Sequence, residues 1–98
     1  MDDRTIADLV PRAVFEAYTR VRPLPRDEMP TGREARRLRT AGGLSRDVVA
    51  VLSGVSASAL ADYEANTTSH SRALRTSTVY RRLMAACRTL VEEAGVRV

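Results

Sequence analysis

Arginine is the residue type with the clearest chemistry in this sequence. All sixteen basic residues are arginines, and with twelve acidic residues they give the chain a net charge of +4. A guanidinium group keeps its charge at physiological pH and can donate two parallel hydrogen bonds to a phosphate or to the edge of a base. The positive excess lies wholly in residues 31–98, which contain eleven arginines and six acidic residues. This distribution favours a polyanionic partner for that part of the chain.

Residue types that support catalysis or metal binding are sparse. His70 and Cys87 are the single histidine and the single cysteine, so neither has a partner at the spacing of a zinc site or of a nucleophile and its base. Glu92 and Glu93 are interpreted as a solvated helix end, and Cys87 as a small buried side chain. We expect no enzymatic activity, no metal and no cofactor.

The overall composition points to a small helical protein. Apolar residues make up 44% of the 98 residues but aromatic residues only 4%, so a core has to be built from Ala, Val and Leu, a mixture that favours packed helices over a sheet. No segment has the length and hydropathy of a membrane span or a signal peptide, which predicts a cytoplasmic protein without membrane contact. Arginine without lysine is typical of a GC-rich genome, such as that of an actinobacterium or a phage.

Three short helices are predicted in residues 31–65. Side chains suited to capping a helix N-terminus stand at three points, Thr31, Ser45 and Ser56. The Gly42-Gly43 pair and Gly54 are suited to ending the first and second of these helices. A polar stretch follows from Asn66 to Thr78, with a short helix near residues 71–75. A longer amphipathic helix is predicted from about Thr78 to Ala94, before Gly95.

The segment before Thr31 has a different character. Apolar residues between Ile6 and Val21 recur at spacings of three and four, as on one stripe of a helix, with Pro11 as a kink or a second start. We therefore divide the chain into an N-terminal amphipathic helix (residues 1–22), a proline-rich linker (23–30) and a core domain (31–95). The linker is expected to free the helix, which slightly favours a contact with a second copy or a protein partner over packing on its own core.

The stretch from Leu38 to Glu64 resembles the helix-turn-helix of the Cro and lambda-repressor superfamily, often called the XRE family. Ala50 is the small residue where the two helices approach, and Gly54 and Val55 form the turn. Ser56 caps the next helix, and Leu60 is its core residue. Arg39 and Glu64 stand at the positions of a distant ion pair. The resemblance implies an all-α, lambda-repressor-like bundle of about five short helices, to which the N-terminal helix is added. It also implies that Arg39 and Glu64 form a structural ion pair.

The same resemblance implies double-stranded DNA as the partner. The helix starting at Ser56 would enter the major groove, and the helix starting at Ser45 would cross the backbone. The DNA-binding residues implied in this way are Ser45, Arg46, Ser56, Ala57, Ser58, Ala61, Asp62, Asn66, Thr67 and Arg72. Four further arginines are either phosphate contacts or part of a solvated face: Arg33, Arg36, Arg37 and Arg75.

These residues predict a sequence-specific transcriptional regulator, repressor-like, that binds its operator as a homodimer. Either the N-terminal stripe or the last helix would supply the dimer contact. The residues that face the bases are small or acidic, however, so base reading is expected to be thin. The alternative is a protein-interaction adaptor or an antitoxin-like module that keeps the fold with weak or no base readout.

Overall fold

Seven α-helices account for most of residues 3–65 and 72–95, which are the residues that the computed structural model describes. The helices are α1 (Asp3–Leu9), α2 (Arg12–Arg20), α3 (Gly32–Ala41), α4 (Arg46–Ser53), α5 (Ala57–Ala65), α6 (Arg72–Thr76) and α7 (Thr78–Gly95). A 3₁₀ turn spans Arg26–Glu28. Strands are absent from these residues, and the predicted all-α helix-turn-helix bundle is confirmed.

The starts of α3, α4 and α5 are fixed by side-chain caps. Three side-chain oxygens each accept a hydrogen bond at 3.0–3.2 Å from the backbone N–H three residues further on, those of Thr31, Ser45 and Ser56. Each cap satisfies a donor that the first turn of a helix leaves without an intrahelical partner. Helix α4 ends at Gly54, whose φ of 74° is unfavourable for any residue with a Cβ. Local chemistry therefore sets the lengths of these short helices.

Helix α7 is the centre of the core. Its fully buried side chains are Tyr80, Leu83, Met84, Ala86 and Cys87. Helices α2 and α3 pack most extensively against it, and α4 and α6 also contact it. The hydroxyl of Ser77 donates to the carbonyl of Ser53 at 3.0 Å and accepts from the N–H of Tyr80 at 3.1 Å. This hydroxyl thus caps α7 and joins it to the end of α4.

The N-terminal segment does not stand free, and the expectation that the linker releases it is wrong. Val14, Ala17 and Tyr18 of α2 are buried, and they lie in the same hydrophobic core as the α7 side chains. The stripe between Ile6 and Val21 is divided into α1 and α2 by a break at Pro11, so the proline starts a second helix. The apolar face that was expected to meet a partner is covered by the chain's own core.

Two arginines of α7 hold this segment in place. The backbone N–H of Leu24 donates to the carbonyl of Arg81 at 3.2 Å, and the guanidinium of Arg81 donates back to the Leu24 carbonyl at 3.0 Å. Arg82 donates to the carbonyl of Tyr18 at 2.7 Å, and its guanidinium lies over the aromatic ring of Tyr18, 4.3 Å from the ring centre. The proline-rich linker is therefore anchored at a defined position, and it contains a 3₁₀ turn as well as extended residues.

A buried ion pair joins α3 to α5. Arg39 donates from Nε to Oε2 of Glu64 at 2.7 Å and from a terminal nitrogen to Oε1 at 3.0 Å. Its other terminal nitrogen donates to the carbonyl of Leu44 at 2.8 Å. The side chains of Arg39 and Glu64 are only 10% and 4% exposed. Such a bidentate pair fixes the orientation of two helices more than it adds stability.

Membrane-spanning character is weak in the described helices. None of them is long and apolar enough to cross a membrane by itself, and only α4 and α5 taken together, with a bend of 115° between them, reach that length and hydropathy. Both of these helices contribute buried side chains to the core.

The approach of α3 to α7 leaves no room for a side chain at Gly42. A Cβ at this position would lie 2.7 Å from Sγ of the buried Cys87, although the backbone φ of −79° is ordinary. We predict that Gly42→Ala lowers the free energy of unfolding by about 1–3 kcal/mol, the usual cost of overpacking. Urea denaturation followed by circular dichroism measures this change. In a Cys87→Ala background the same substitution should cost less, and an equal cost in both backgrounds would contradict the steric explanation.

The Arg39–Glu64 pair gives a second stability prediction. Glu64→Leu leaves the buried guanidinium of Arg39 without its carboxylate, so we expect a loss of about 3–5 kcal/mol in the free energy of unfolding. The double variant Arg39→Met/Glu64→Leu should recover most of that loss because it removes both charges. Arg88 and Glu34 form a matched control pair between α7 and α3, at 2.9 Å but 34% and 48% exposed. Arg88→Ala should cost about 1 kcal/mol or less, and a similarly small loss in Glu64→Leu would refute the prediction.

Candidate nucleic-acid interface

Helices α4 and α5 form a tight corner. The chain bends by 115° between them, and the turn consists of Gly54, Val55 and Ser56. The N–H of Val55 donates to the carbonyl of Ala50 at 3.1 Å, and the partly buried Val55 side chain packs against the core. Two helices that meet at about 90–120° across a turn of three or four residues are the geometry of a helix-turn-helix.

One side of α5 packs inward and the other is open. Leu60, Tyr63 and Glu64 are buried. The predicted base-facing residues lie on the remaining surface: Ala57, Ser58 and Asp62 are exposed and Ala61 is half-buried, while the cap residue Ser56 is also exposed. Small side chains allow the helix backbone to come close to a partner surface. This surface can offer hydroxyl groups, methyl groups and one carboxylate.

Ser45 and Arg46 lie at the start of α4, beside this face. The Ser45 oxygen accepts from the N–H of Val48 at 3.1 Å, which leaves the hydroxyl hydrogen to donate elsewhere. Arg46 Nε lies 3.6 Å from Oε1 of Glu64, and the Arg46 side chain is 47% exposed. Arg39 already donates to both oxygens of Glu64. The carboxylate therefore orients Arg46, but much of the Arg46 side chain remains open to a ligand.

A cleft of about 330 Å³ connects α5 with the two arginine-bearing helices. It is lined by Arg36, Arg46, Ala61, Asp62, Glu64 and Ala65. Arg36 of α3 and Arg46 of α4 thus lie beside the open face of α5. Arg39 already neutralises Glu64, and within residues 3–65 and 72–95 no cation is bonded to Asp62, the other acidic group of this cleft. The cleft can receive an anionic group between its arginines.

Tyr63 holds α5 at its C-terminal end. Its hydroxyl donates to the carbonyl of Pro30, just before α3, and its ring meets that of Tyr80 edge-on at 6.3 Å. Burial, with smaller effects from Glu34 and Glu64, raises the pKa of Tyr63 to about 12, so the hydroxyl keeps its proton at physiological pH. Burial likewise raises the pKa of the Cys87 thiol to about 11. That side chain is an unreactive part of the core.

The structure separates the arginines into two groups. Among the described arginines of residues 31–95, Arg39, Arg81, Arg82 and Arg88 are hydrogen-bonded within the fold, and Arg46 forms an ion pair with Glu64 at 3.6 Å. The basic excess that suggested a polyanionic partner is therefore partly structural. Arg33, Arg36 and Arg37 remain exposed on α3, where they line a shallow depression with Thr40 and Ala41.

Sequence reasoning missed the closeness of Arg36 to the open face of α5 and the tie between Tyr63 and Pro30. Arg36 stands one helical turn before Arg39, on the same side of α3. The predicted pairing of Arg39 with Glu64 could therefore have indicated that Arg36 also lies near α5. The bond from Tyr63 to Pro30 has no local signature. Among the other predicted residues, Arg72 is exposed at the start of α6, whereas Asn66 and Thr67 lie outside the described residues.

Comparison with known proteins identifies the domain. A family model described as a helix-turn-helix domain matches residues 31–95. Searches among curated proteins and among solved structures gave no significant match. The matched range contains α3 to α7, and with them the capped corner between α4 and α5. The chain therefore belongs to the helix-turn-helix domain family of DNA-binding proteins.

Proposed function

We propose that the protein is a transcriptional regulator of the Cro and lambda-repressor (XRE) type that binds an operator through α5. The observation that carries this proposal is the open face of α5, flanked by Arg36 and Arg46 around a cleft of about 330 Å³. In this mode α5 lies in the major groove and the start of α4 faces the backbone. Such a protein acts in the cytoplasm, where it represses transcription by occupying its operator.

Arg46 is the best-placed phosphate contact. Its guanidinium is half exposed and lies 3.6 Å from a carboxylate that Arg39 already holds. A phosphate at the start of α4 can accept from the outward nitrogens of Arg46 and from the Ser45 hydroxyl. Because the buried carboxylate restricts the guanidinium before DNA arrives, less conformational entropy is lost on binding.

Base reading by α5 is limited to weak contacts. Ala57 and Ala61 can meet only a thymine methyl, Ser58 bonds to several bases, and Asp62 can accept from the amino group of cytosine. One copy therefore supplies little discrimination. We propose that two copies bind adjacent half-sites, and that their spacing and the shape of the DNA supply the remaining specificity.

We propose that the contact between two copies uses the ends of α1 and α7 rather than the buried faces of the N-terminal stripe and the last helix. The N-terminal stripe is buried within the chain, and the inward side of α7 is covered by other helices. The large apolar side chains that stay exposed among residues 3–65 and 72–95 are Leu9, Val51 and Val91. Leu9 and Val91 stand near the ends of α1 and α7, so we propose a contact at these ends.

An adaptor or antitoxin-like module is the alternative function. The small residues on α5 and the carboxylate of Asp62 favour it, because they suit a protein surface as well as they suit DNA. The two functions differ in their dependence on salt. Binding through phosphates weakens steeply as salt displaces protein from the backbone, whereas a complex of two proteins with small, uncharged contacts changes little.

Arg46→Ala tests the proposed function. In a gel-shift titration with the DNA upstream of the protein's own gene, we expect a loss of about tenfold in affinity, since a hydrogen bond to a charged group contributes about 1.5–3 kcal/mol. The slope of log affinity against log salt should become shallower by about 0.9. Arg12→Ala is the control, because Arg12 on α2 has a side chain that is 91% exposed and lies outside the cleft. Binding that is absent, or that is insensitive to salt, would favour the adaptor.

The charge of Asp62 gives an independent prediction for the same face. Its carboxylate repels the backbone, so Asp62→Ala should strengthen binding to a duplex of mixed sequence. The same change removes the acceptor for cytosine, so the ratio of affinities for the upstream DNA and for mixed DNA should fall. Fluorescence anisotropy with both duplexes measures this ratio. Weaker binding to mixed DNA would show that α5 does not face the groove.

A further inference from the structure

We propose that Arg26, Arg72 and Arg75 form a second phosphate-binding site, through which the segment preceding the family domain takes part in holding DNA. This inference rests on the proposed function and extends it. Arg26 lies outside the matched residues 31–95, in the proline-rich linker, for which the sequence predicted no binding role. The occupant is the sugar-phosphate backbone of a duplex whose major groove receives α5.

The site is a cleft of about 340 Å³ between the 3₁₀ turn of the linker and α6. It is lined by Arg26, Asp27, Arg72, Arg75 and Thr76. Three guanidinium groups and one carboxylate from two separate segments therefore face the same space. The Thr76 hydroxyl donates within α6, to the carbonyls of Arg72 and Ala73 at 3.0 and 3.2 Å. The arginines are the donors that remain for a ligand.

These three arginines differ from the other interhelical arginines of the fold. All three are exposed, and within the described part of the chain none of their side chains forms a hydrogen bond or an ion pair. Arg81 and Arg82, by contrast, are half-buried and bound to backbone carbonyls. Like charges that share a cleft repel one another, and a bound anion removes that repulsion. A phosphate offers an arginine two oxygens at the spacing of its planar fork.

The two segments that line the cleft are joined by hydrogen bonds to α4 and α5. At one side, the Tyr63 hydroxyl of α5 bonds to the carbonyl of Pro30, and four residues of chain, which reach at most about 14 Å, separate Pro30 from Arg26. At the other side, Ser77, next to the end of α6, bonds to the last residue of α4. The two segments that line the cleft are thus attached to the two helices that bind DNA in the proposed function.

The position of Arg26 is fixed by the fold. Leu24, two residues before it, exchanges two hydrogen bonds with Arg81, and the residues after it run directly to the bonded Pro30. An anchored arginine loses less conformational freedom on binding than one in a flexible arm. Together with Arg46 at the start of α4, this cleft lets the protein contact the DNA backbone at two separate places.

The experiment compares Arg26→Ala with Arg22→Ala, a matched control that also lies between α2 and α3. Arg22 is exposed, carries the same charge and does not line the cleft. Binding to a short duplex of mixed sequence is followed by fluorescence anisotropy over a range of salt concentrations. We expect Arg26→Ala to make the slope of log affinity against log salt shallower by about 0.9, the value for one lost phosphate contact. Arg22→Ala should keep the wild-type slope, and Arg26→Lys should keep most of it.

The outcomes separate this inference from the function on which it rests. If Arg46→Ala weakens binding but Arg26→Ala keeps the wild-type slope, the second site is refuted and the regulator stands. If the wild-type protein does not bind DNA, both are refuted. If Arg26→Ala instead abolishes binding of polyglutamate and leaves the DNA slope unchanged, the cleft belongs to an acidic protein partner and our assignment is wrong. Thermal melting that matches the wild type shows that each variant is folded.

Discussion

The bidentate pair between Arg39 and Glu64 is the interaction on which the arrangement of the helix-turn-helix depends. A carboxylate that is 4% exposed needs a permanent cation, and Arg39 supplies it while also bonding to the carbonyl of Leu44 in the loop before α4. One side chain thereby connects α3, that loop and α5. Because Arg39 satisfies both oxygens of Glu64, Arg46 is directed by the carboxylate yet stays half exposed. The same pair therefore holds α5 in place and leaves the neighbouring Arg46 side chain half exposed.

A second constraint is the need to cover α7. Helix α2, from outside the matched domain, packs against it with Val14, Ala17 and Tyr18, in addition to α3, α4 and α6. The chain that leads from α2 to α3 must then run over the domain surface, where its backbone carbonyls need donors. Arg81 provides one for the carbonyl of Leu24, and Arg82 provides one for the carbonyl of Tyr18 in the last turn of α2. This requirement explains why a proline-rich stretch is held firmly and why Arg26 has a defined place beside α6.

The features that could be predicted from the sequence are those set by nearby residues or by the family resemblance. Caps such as Ser45 and the positive φ of Gly54 depend on a few neighbouring residues, so the helix starts and the corner were correct. The positions of Arg82 and Tyr18 are 64 residues apart, and no local pattern reports that they meet. Such distant contacts determine where the N-terminal segment packs, what Arg81 bonds to and where the cleft around Arg26 forms. The number of arginines in the sequence could not show which of them form hydrogen bonds within the fold.

If the protein binds DNA as proposed, contacts to the DNA backbone at two places bear on how a recognition helix with such small side chains could select an operator. Ala57, Ser58 and Ala61 distinguish bases poorly, but Arg46 and the cleft around Arg26 are held apart at a distance that the fold fixes. A duplex can satisfy both only if its groove width and bend bring phosphates to both places. The free energy needed to deform DNA to that shape depends on its sequence, including at base pairs that no side chain touches. In the proposed function, anchors held in this way would convert DNA shape into affinity, and the fixed position of the linker would contribute to selectivity.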